Sequence, residues 1–374
     1  MSAGGAAPAG DTNRIDRFLA ILPKRSGSDL HLSVGCPPIV RIDGELERMR
    51  YRALTEGDFY NLLGPITPPK LWEAFNASGD VDFAYQMGEQ ARFRVNLLRQ
   101  ERGSAAVLRL IPSRVPTVED LNLPAPVAAL YAVQRGLVLV TGPTGSGKST
   151  TLAAILDRMN KRLAHHVITI EDPIEFVHTN DKSIFTQREI GPDVASFAEG
   201  VKAAIREDPD CLLVGEMRDL ETMRMALTAA ETGLLVFATV HTNSAAKAVD
   251  RIIDAFPAAE QEQVRIVLAE ALRGVVAQQL LRKKGGGRVA AHEILLGSSA
   301  LSNSIREGKT SLINNQIATG KSRGMISMDQ SLTELVRNDV VEPAEALERA
   351  IDKESFKGMI AGLARKPSPP AASA

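Results

Sequence analysis

The segment best suited to chemistry is a glycine-rich stretch, 142–149, with the sequence Gly-Pro-Thr-Gly-Ser-Gly-Lys-Ser and GxxxxGK[ST] spacing. Its glycines let backbone N–H groups turn towards phosphate oxygens. Lys148 is placed to reach the β- and γ-phosphates, and the Ser149 hydroxyl to bind Mg²⁺. An apolar, strand-like run precedes the segment and a helix-length run follows it, which is the context such a loop requires. The candidate nucleotide-binding residues are Gly142, Thr144, Gly145, Ser146, Gly147, Lys148, Ser149 and Thr150.

Acidic residues follow two further apolar runs. Glu216 stands just beyond the run 211–214, where open α/β sheets bind ligands, so it could orient water against a γ-phosphate and contact the Mg²⁺ shell. Glu171, Asp172 and Glu175 follow another run and place three carboxylates in five residues. Acids gathered in this way usually face a cation or polarise water. A solvated loop is the alternative for both groups, and the separate roles of the three acids stay open.

A histidine follows a fourth apolar run. His241 and Thr242 end the run 234–240, so we expect them at the same sheet edge, where a histidine can hydrogen-bond the γ-phosphate. A purely structural histidine is the alternative. The spacing of the other histidines is not typical of a metal site, and we assign no metal to them.

Composition limits the classes of function. The chain has 374 residues, with 44 Lys and Arg against 45 Asp and Glu, so no global basic field favours binding to a polyanion. We therefore expect no nucleic-acid partner. Two cysteines, Cys36 and Cys211, are too few and too far apart for a disulfide framework or a structural zinc site. Since no run is apolar and long enough to span a membrane, we expect a soluble, cytosolic protein.

The elements that position these residues are expected in two domains, because the chain exceeds the length at which one core stops growing. In the first, a short helix (15–22), strands (29–34, 39–42) and a hairpin (81–85 with 92–97) predict a small α+β domain. A proline-rich stretch then blocks a continuous helix or central strand. The expected division is a flexible tail at 1–13, the first domain at 14–111, a linker at 112–126, the second domain at 127–360 and a tail at 361–374.

In the second domain, apolar runs alternate with helix-length segments, which is typical of a largely parallel sheet covered by helices. From about Ala258 onward we expect mainly helices, interrupted by 283–288 and a possible strand at 289–295. The expected strands are 137–141, 166–170, 211–214 and 234–240, and the expected helices are 148–163, 197–206 and 220–232.

Four segments together resemble the Walker A, aspartate, Walker B and histidine boxes of the secretion-superfamily hexameric ATPases. They are 142–150, 170–175, 213–219 and 239–243. Within that superfamily the chain is most similar to the type IV pilus retraction ATPases of twitching motility, over roughly residues 14–355. The resemblance implies an α/β fold: an N-terminal PAS-like α+β domain, then a RecA-like P-loop ATPase domain with a helical C-terminal part. It also implies a homohexameric ring with ATP and Mg²⁺ at each interface.

The resemblance also implies roles for single residues. It makes Lys148 and Ser149 the phosphate and Mg²⁺ ligands, and Glu216 the catalytic carboxylate. Glu171 and Glu175 become the residues of the acidic box, and His241 the phosphate-side sensor.

In the family, arginines of the PAS-like domain complete the site of a neighbouring subunit. Arg92 and Arg94 match that segment, and alternate positions on a strand would point both side chains to one face. An arginine arriving from a neighbour adds positive charge where the transition state accumulates negative charge. A solvated strand face is the alternative.

Ser304-Ile-Arg-Glu307 resembles the Ala-Ile-Arg-Glu motif that the family requires for retraction, with serine in place of alanine. An ordinary exposed Arg306–Glu307 pair is the alternative.

The chain lacks the four-cysteine motif of the pilus-assembly motors, which favours retraction over extension. We thus expect a cytoplasmic motor, peripheral at the inner-membrane pilus base, with a platform protein and paralogous pilus ATPases as partners. The alternatives are an accessory retraction, competence or type II secretion ATPase, or a nucleotide-dependent ring scaffold without hydrolysis.

Overall fold

The computed structural model describes residues 13–25, 27–42, 44–88, 91–111 and 114–364, without the side chains of 362–364. The chain divides between Arg114 and Val115 into two compact units, and the dividing point falls within the proline-rich stretch. The tails expected from the sequence lie outside the described residues, except for residue 13 and 361–364. Those last residues belong to a helix that extends to Ala364.

The N-terminal unit is an antiparallel six-stranded sheet with helices. The sheet has the order β3-β2-β1-β6-β5-β4. The predicted hairpin is confirmed, with Val81 opposite Leu97. The predicted first helix is instead two short ones. The elements are α1 (Asp16–Leu19), α2 (Ile21–Lys24), β1 (Gly27–Ser33), β2 (Ile39–Ile42), β3 (Glu45–Arg48), α3 (Glu56–Leu63), a 3₁₀ turn (Gly64–Ile66), α4 (Pro69–Ser78), β4 (Asp80–Met87), β5 (Ala91–Gln100) and β6 (Gly103–Ile111).

Local sequence explains the elements of this unit. Along β5, Phe93 and Val95 are buried while Arg92 and Arg94, at the alternate positions, face the other side, as expected of a half-buried strand. At the start of α3, Thr55 and Asp58 form a reciprocal capping box, which satisfies N–H groups that the first turn leaves free.

The C-terminal unit carries the glycine-rich segment. Its elements are α5 (Ala125–Ala128), β7 (Gly136–Thr141), α6 (Lys148–Arg162), β8 (His166–Glu171), β9 (Ile184–Glu189), α7 (Phe197–Ala204), β10 (Cys211–Val214), α8 (Leu220–Glu231), β11 (Leu235–Val240), α9 (Ala245–Asp254), α10 (Gln261–Ala271), β12 (Leu272–Arg282), β13 (Arg288–Leu296), α11 (Ser299–Arg306), α12 (Ile313–Thr319), α13 (Met328–Arg337), α14 (Pro343–Arg349) and α15 (Lys353–Ala364). Short 3₁₀ turns lie at Leu130–Ala132, Thr310–Leu312 and Lys321–Arg323.

A seven-stranded sheet of order β13-β12-β7-β11-β10-β8-β9 forms the centre of this unit. Its strands are parallel except β13, which runs antiparallel to β12. Successive residues of β7 enter opposite cores: Leu137 and Leu139 pack with α8 and α9, and Val138 and Val140 pack with α6. The predicted, largely parallel sheet covered by helices is therefore confirmed, and the helices lie on both of its faces. Within the described residues, no helix has the length and apolar character needed to cross a membrane.

The expectation of mainly helices after Ala258 is wrong over Leu272–Arg282, which form the eleven-residue strand β12. Helix α10 ends at Ala271, and the chain enters the sheet at the next residue. Most of β12 is buried on both faces, so its sequence lacks the polar–apolar alternation that reveals a strand. The valines at 275 and 276 favour β structure, but only pairing with β7 and β13 decides between the two interpretations.

Candidate functional site

The glycine-rich segment forms a loop between β7 and the first turn of α6. Gly145 and Gly147 have φ of +78° and +86°, a conformation that residues with a side chain rarely adopt. Gly142 lies so close to the Gln278 carbonyl oxygen that a Cβ there would collide with it. The loop therefore needs glycine at these positions, and it brings backbone N–H groups to the N-terminus of a fifteen-residue helix.

Lys148 is buried and folds back onto the loop. Its Nζ donates to the carbonyl oxygens of Gly142 and Pro143, at 2.9 and 3.2 Å. Burial lowers the pKa of the Lys148 amine, and the negative charges of Glu216 and Glu175 oppose that shift. These carboxylates and the loop thus surround the lysine.

Glu216 follows β10, and two basic side chains hold its carboxylate. His241 Nε2 lies 2.6 Å from Glu216 Oε1, and Arg218 Nη2 lies 2.6 Å from Oε2. Burial alone would raise the pKa of Glu216, but hydrogen bonds and charge from Arg218 and His241 outweigh it and hold the pKa below its usual value. The sequence placed Glu216 and His241 at one edge of the sheet, and the structure brings them into contact. It did not single out Arg218.

Hydrogen bonds join the end of β11 to the end of β7. The Thr242 N–H donates to Thr141 Oγ1 at 2.9 Å, and Thr141 Oγ1 lies 2.6 Å from the Thr242 carbonyl oxygen. In the sheet, Thr141 also stands opposite Val240. The segment that carries His241 is therefore fixed to the strand that leads into the glycine-rich loop.

Glu171 ends β8 and is partly buried. Burial raises the pKa of its carboxyl to about 7 even though Thr169 and Gln187 donate hydrogen bonds to Oε1, at 2.6 and 3.3 Å. The nearby charge of Glu175 adds to the increase. Glu175 itself is exposed. Gln187 lies on β9, a strand that the sequence did not predict, so its contact with Glu171 was missed.

A divalent cation fits this site only together with phosphate oxygens and water. Ser149, Glu171 and Thr239 line one narrow cavity and supply hydroxyl and carboxylate oxygens, the ligand type that Mg²⁺ prefers. Among the described residues, no group of three or more His, Cys, Asp or Glu side chains could hold a metal ion. Because Mg²⁺ commonly uses one or two protein ligands plus phosphates, the residues fit a nucleotide-bound ion.

Arg92 and Arg94 belong to the other unit. They lie on one face of β5, as strand alternation predicts, and Arg94 Nε is 3.4 Å from Asp82 Oδ1. The structure thus places the two arginines outside the unit that contains the glycine-rich loop.

The segment 304–307 covers the last residues of α11 and its C-cap, Glu307. Ser304 and Ile305 are buried, whereas Arg306 and Glu307 are exposed. Arg306 Nη1 donates to Asn303 Oδ1 at 3.0 Å, and Glu307 pairs with Lys309 at 2.8 Å. Only the two charged side chains are therefore available to another molecule.

Sequence reasoning missed two buried polar residues on the β12–β13 hairpin. Gln278 hydrogen-bonds both Ser146 and Thr151. Glu293 Oε1 accepts from the Ala245 N–H at 2.7 Å, at the start of the helix that follows His241. Gln278 was missed because its strand had been interpreted as helix. Glu293 lies on β13, where a strand was expected, but no sequence signal marked its contact with the distant Ala245.

Comparison with known proteins gives one consistent result. The family model described as "Type II/IV secretion system protein" matches residues 77–361. A type IV pilus retraction ATPase, PilT, of Pseudomonas aeruginosa is 49% identical over 91% of this chain and 99% of its own length. A twitching motility protein of Neisseria gonorrhoeae is 48% identical over 86% of each chain. The crystal structure of the pilus retraction motor PilT with bound ADP superposes with a TM-score of 0.86 at 42% identity, covering 93% of this chain and 100% of that one.

Proposed function

Since the chain belongs to the type II/IV secretion system protein family, and to its pilus retraction branch, we propose that it is an ATPase motor that powers type IV pilus retraction and twitching motility. The observation that carries the proposal is the meeting of three strand ends. Lys148 and Ser149 follow β7, Glu216 follows β10, and His241 follows β11. A relative that retains this fold binds ADP.

The first step is phosphate binding. Among the described residues, Lys148 Nζ donates to two uncharged carbonyl oxygens, while the charges of Glu216 and Glu175 act on it through space. A phosphate would offer it a stronger, charge-assisted partner. Gly145 and Gly147 present backbone N–H groups to the same phosphate. ATP is the proposed substrate, and Mg²⁺, held by Ser149 and the phosphate oxygens, would neutralise charge on the β- and γ-phosphates.

Glu216 is the proposed catalytic carboxylate. Because its pKa is lowered, it is ionised near neutral pH and can accept a hydrogen bond from the attacking water. His241, 2.6 Å away, sits where it can exchange its bond to Glu216 for one to the γ-phosphate, and so act as a sensor. Glu171 and Glu175 are the proposed acidic-box residues, and Gly142, Thr144, Ser146 and Thr150 complete the loop.

We also propose a homohexamer in which Arg92 and Arg94 complete a neighbour's site. Both lie outside the motor unit, and Arg94 is exposed and pairs with Asp82 at 3.4 Å, a weak contact at the surface. Hydrolysis at each interface would then move rigid units relative to one another. The proposed location is the cytoplasmic side of the inner membrane, at the pilus base, with a platform protein as partner and paralogous pilus ATPases beside it.

The test separates binding from hydrolysis. Purified Lys148→Ala should lose tight ATP binding, because the loop loses its charged phosphate ligand. Glu216→Gln should bind ATP but release phosphate at least about 100-fold more slowly, the scale of losing a positioned catalytic group. Full phosphate release by Glu216→Gln would reject the assignment, and a wild-type chain that binds ATP without hydrolysing it would favour a scaffold.

Complementation of a deletion strain then tests retraction. Wild type should restore twitching, whereas Glu216→Gln should leave cells with many surface pili and no motility. Normal pilus numbers and motility in the deletion strain would instead point to an accessory ATPase.

A further inference from the structure

One buried polar side chain, that of Gln278, contacts the glycine-rich loop from the adjacent strand of the sheet. Gln278 lies on β12 and is only 3% exposed. Its Nε2 donates to the Ser146 carbonyl oxygen at 2.6 Å, and its Oε1 accepts from Thr151 Oγ1 at 2.8 Å. Both ends of the amide are therefore used, one by the loop and one by the first turn of α6.

The loop's glycines lie directly against this residue. A Cβ at Gly147 would come within 2.9 Å of Gln278 Nε2, and a Cβ at Gly142 would collide with the Gln278 carbonyl oxygen. Because real Cβ contacts this short are essentially absent, side chains at either position would force the loop away from β12. Glycine at these positions thus allows the loop to approach Gln278 as well as to turn.

The hydrogen bond to Ser146 has a consequence for its neighbour. A peptide unit is planar and trans, so the carbonyl of Ser146 and the N–H of Gly147 point in opposite directions. With the carbonyl held towards Gln278, the Gly147 N–H is aimed away from it. In loops of this type, such N–H groups are what binds the phosphates.

We propose that Gln278 is a positioning residue for phosphate binding: by holding the Ser146 carbonyl, it keeps the Gly147 N–H aimed at a bound nucleotide phosphate. Thr151 is its partner. The Ser146 carbonyl can only accept, so it fixes the amide with Nε2 towards the loop, and the Thr151 hydroxyl then donates to Oε1 and holds the other end. The inference rests on the proposed function to the extent that a nucleotide occupies the loop.

The experiment measures ADP binding by titration calorimetry and the melting temperature, on the full chain with Mg²⁺. Gln278→Met keeps the volume and removes both hydrogen bonds. Thr151→Val removes only the hydroxyl that donates to Gln278, whereas Thr151→Ser keeps that hydroxyl. Val276→Ala is the stability control, since Val276 lies two residues earlier on β12, opposite Val140 of β7, and is buried in the core.

We expect Gln278→Met to raise the Kd for ADP about 10-fold, the size of one lost hydrogen bond that leaves a buried group unsatisfied. Thr151→Val should raise the Kd in the same direction by about 3-fold, and Thr151→Ser should bind like wild type. The Gln278→Met, Thr151→Val double variant should bind no more weakly than Gln278→Met alone, because both changes break one network. Val276→Ala should melt earlier and keep the wild-type Kd.

Two results would overturn the proposal. One is a wild-type Kd for ADP in folded Gln278→Met, or in Thr151→Val if Gln278→Met does not fold. The other is a loss of affinity in Val276→Ala equal to that in Gln278→Met, which would reduce the effect to general stability. Since the readout is ADP binding, failure of the wild type to hydrolyse ATP or retract pili would reject the proposed function and leave this test unaffected.

Discussion

At the scale of single residues, the two central carboxyls differ because their neighbours differ. Glu216 contacts Arg218 and His241, and their hydrogen bonds and charge keep it ionised. Glu171 accepts hydrogen bonds from neutral donors, the Thr169 and Gln187 side chains and the Glu175 backbone, so burial dominates and its pKa rises to about 7. One carboxyl is therefore suited to accept a hydrogen bond at any pH near neutrality, while the other changes its protonation there.

This difference predicts a pH-dependent stability for Glu171→Gln. In the folded chain the Glu171 pKa is raised from 4.5 to about 7, so folding favours the protonated carboxyl. The stability that the protonated carboxyl gives the folded wild type is fully present below pH 4.5 and is lost as pH rises through about 7. The variant cannot ionise. At pH 5 the variant should be more stable by less than about 1 kcal/mol, and at pH 8 by roughly 3 kcal/mol.

Chemical denaturation of the nucleotide-free chain at both pH values measures the difference. A constant gap between wild type and Glu171→Gln from pH 5 to pH 8 would contradict the raised pKa.

At the scale of elements, the sequence predicted correctly those helices and strands whose limits are set by local residue patterns. The limits of β2 and β10 agree with the prediction, and α6 differs by one residue at its end, because apolar runs and a glycine-rich turn mark them. The prediction from sequence missed β9 and β12, because these segments become strands only by pairing with other strands of the sheet. The same failure hid Gln187 and Gln278, whereas Arg218 and Glu293 lie beside or on predicted strands and were missed because their contacts are made only in the folded chain.

The helix that carries Arg306 is held by a contact that the alanine of the related motif could not make. Ser304 Oγ accepts a hydrogen bond from Gln316 Nε2 at 2.8 Å and so joins α11 to α12. Ser304→Ala should therefore lower the free energy of unfolding by about 1 kcal/mol, the usual contribution of one such bond. Ser299→Ala, exposed on the same helix, is the control and should stay within about 0.5 kcal/mol of wild type.

Urea denaturation of both variants measures the difference, and twitching should persist in each because Arg306 and Glu307 are untouched. Equal stability of Ser304→Ala and Ser299→Ala would show that the Gln316 contact contributes nothing.

At the scale of the whole molecule, the proposed machinery is divided between two units. The unit up to Arg114 carries Arg92 and Arg94, and the unit from Val115 carries Lys148 and Glu216. A site assembled from both units of neighbouring subunits would couple hydrolysis to movement, since its completion requires one rigid unit to approach another.

A mixing experiment tests whether the arginines act in a neighbour's site. Arg94→Ala and Lys148→Ala should each be nearly inactive in phosphate release. Mixed rings should recover activity, because some interfaces then combine an intact loop with an intact arginine. The absence of any recovery in verified mixed hexamers would count against a shared site.

The exposed end of α11 predicts a separation of hydrolysis from work. Among the residues that the structure describes, Arg306 donates a hydrogen bond to Asn303 Oδ1, and Glu307 accepts one from Lys309. Both lie more than 60 residues beyond His241 in the chain, and neither lines the glycine-rich loop. If they transmit force or contact the pilus base, Arg306→Ala with Glu307→Ala should keep phosphate release and ring assembly near wild type while abolishing twitching.

An exposed pair of this kind contributes at most about 1 kcal/mol to stability, so the double variant should also melt near the wild-type temperature. That measurement is essential, because an unfolded variant would imitate the loss of motility. Lys309→Ala is the matched control: it removes the partner of Glu307 but leaves both motif charges, and cells carrying it should twitch. Normal twitching by a stably folded double variant would remove the segment from the mechanism and leave Arg306 and Glu307 as solvated surface.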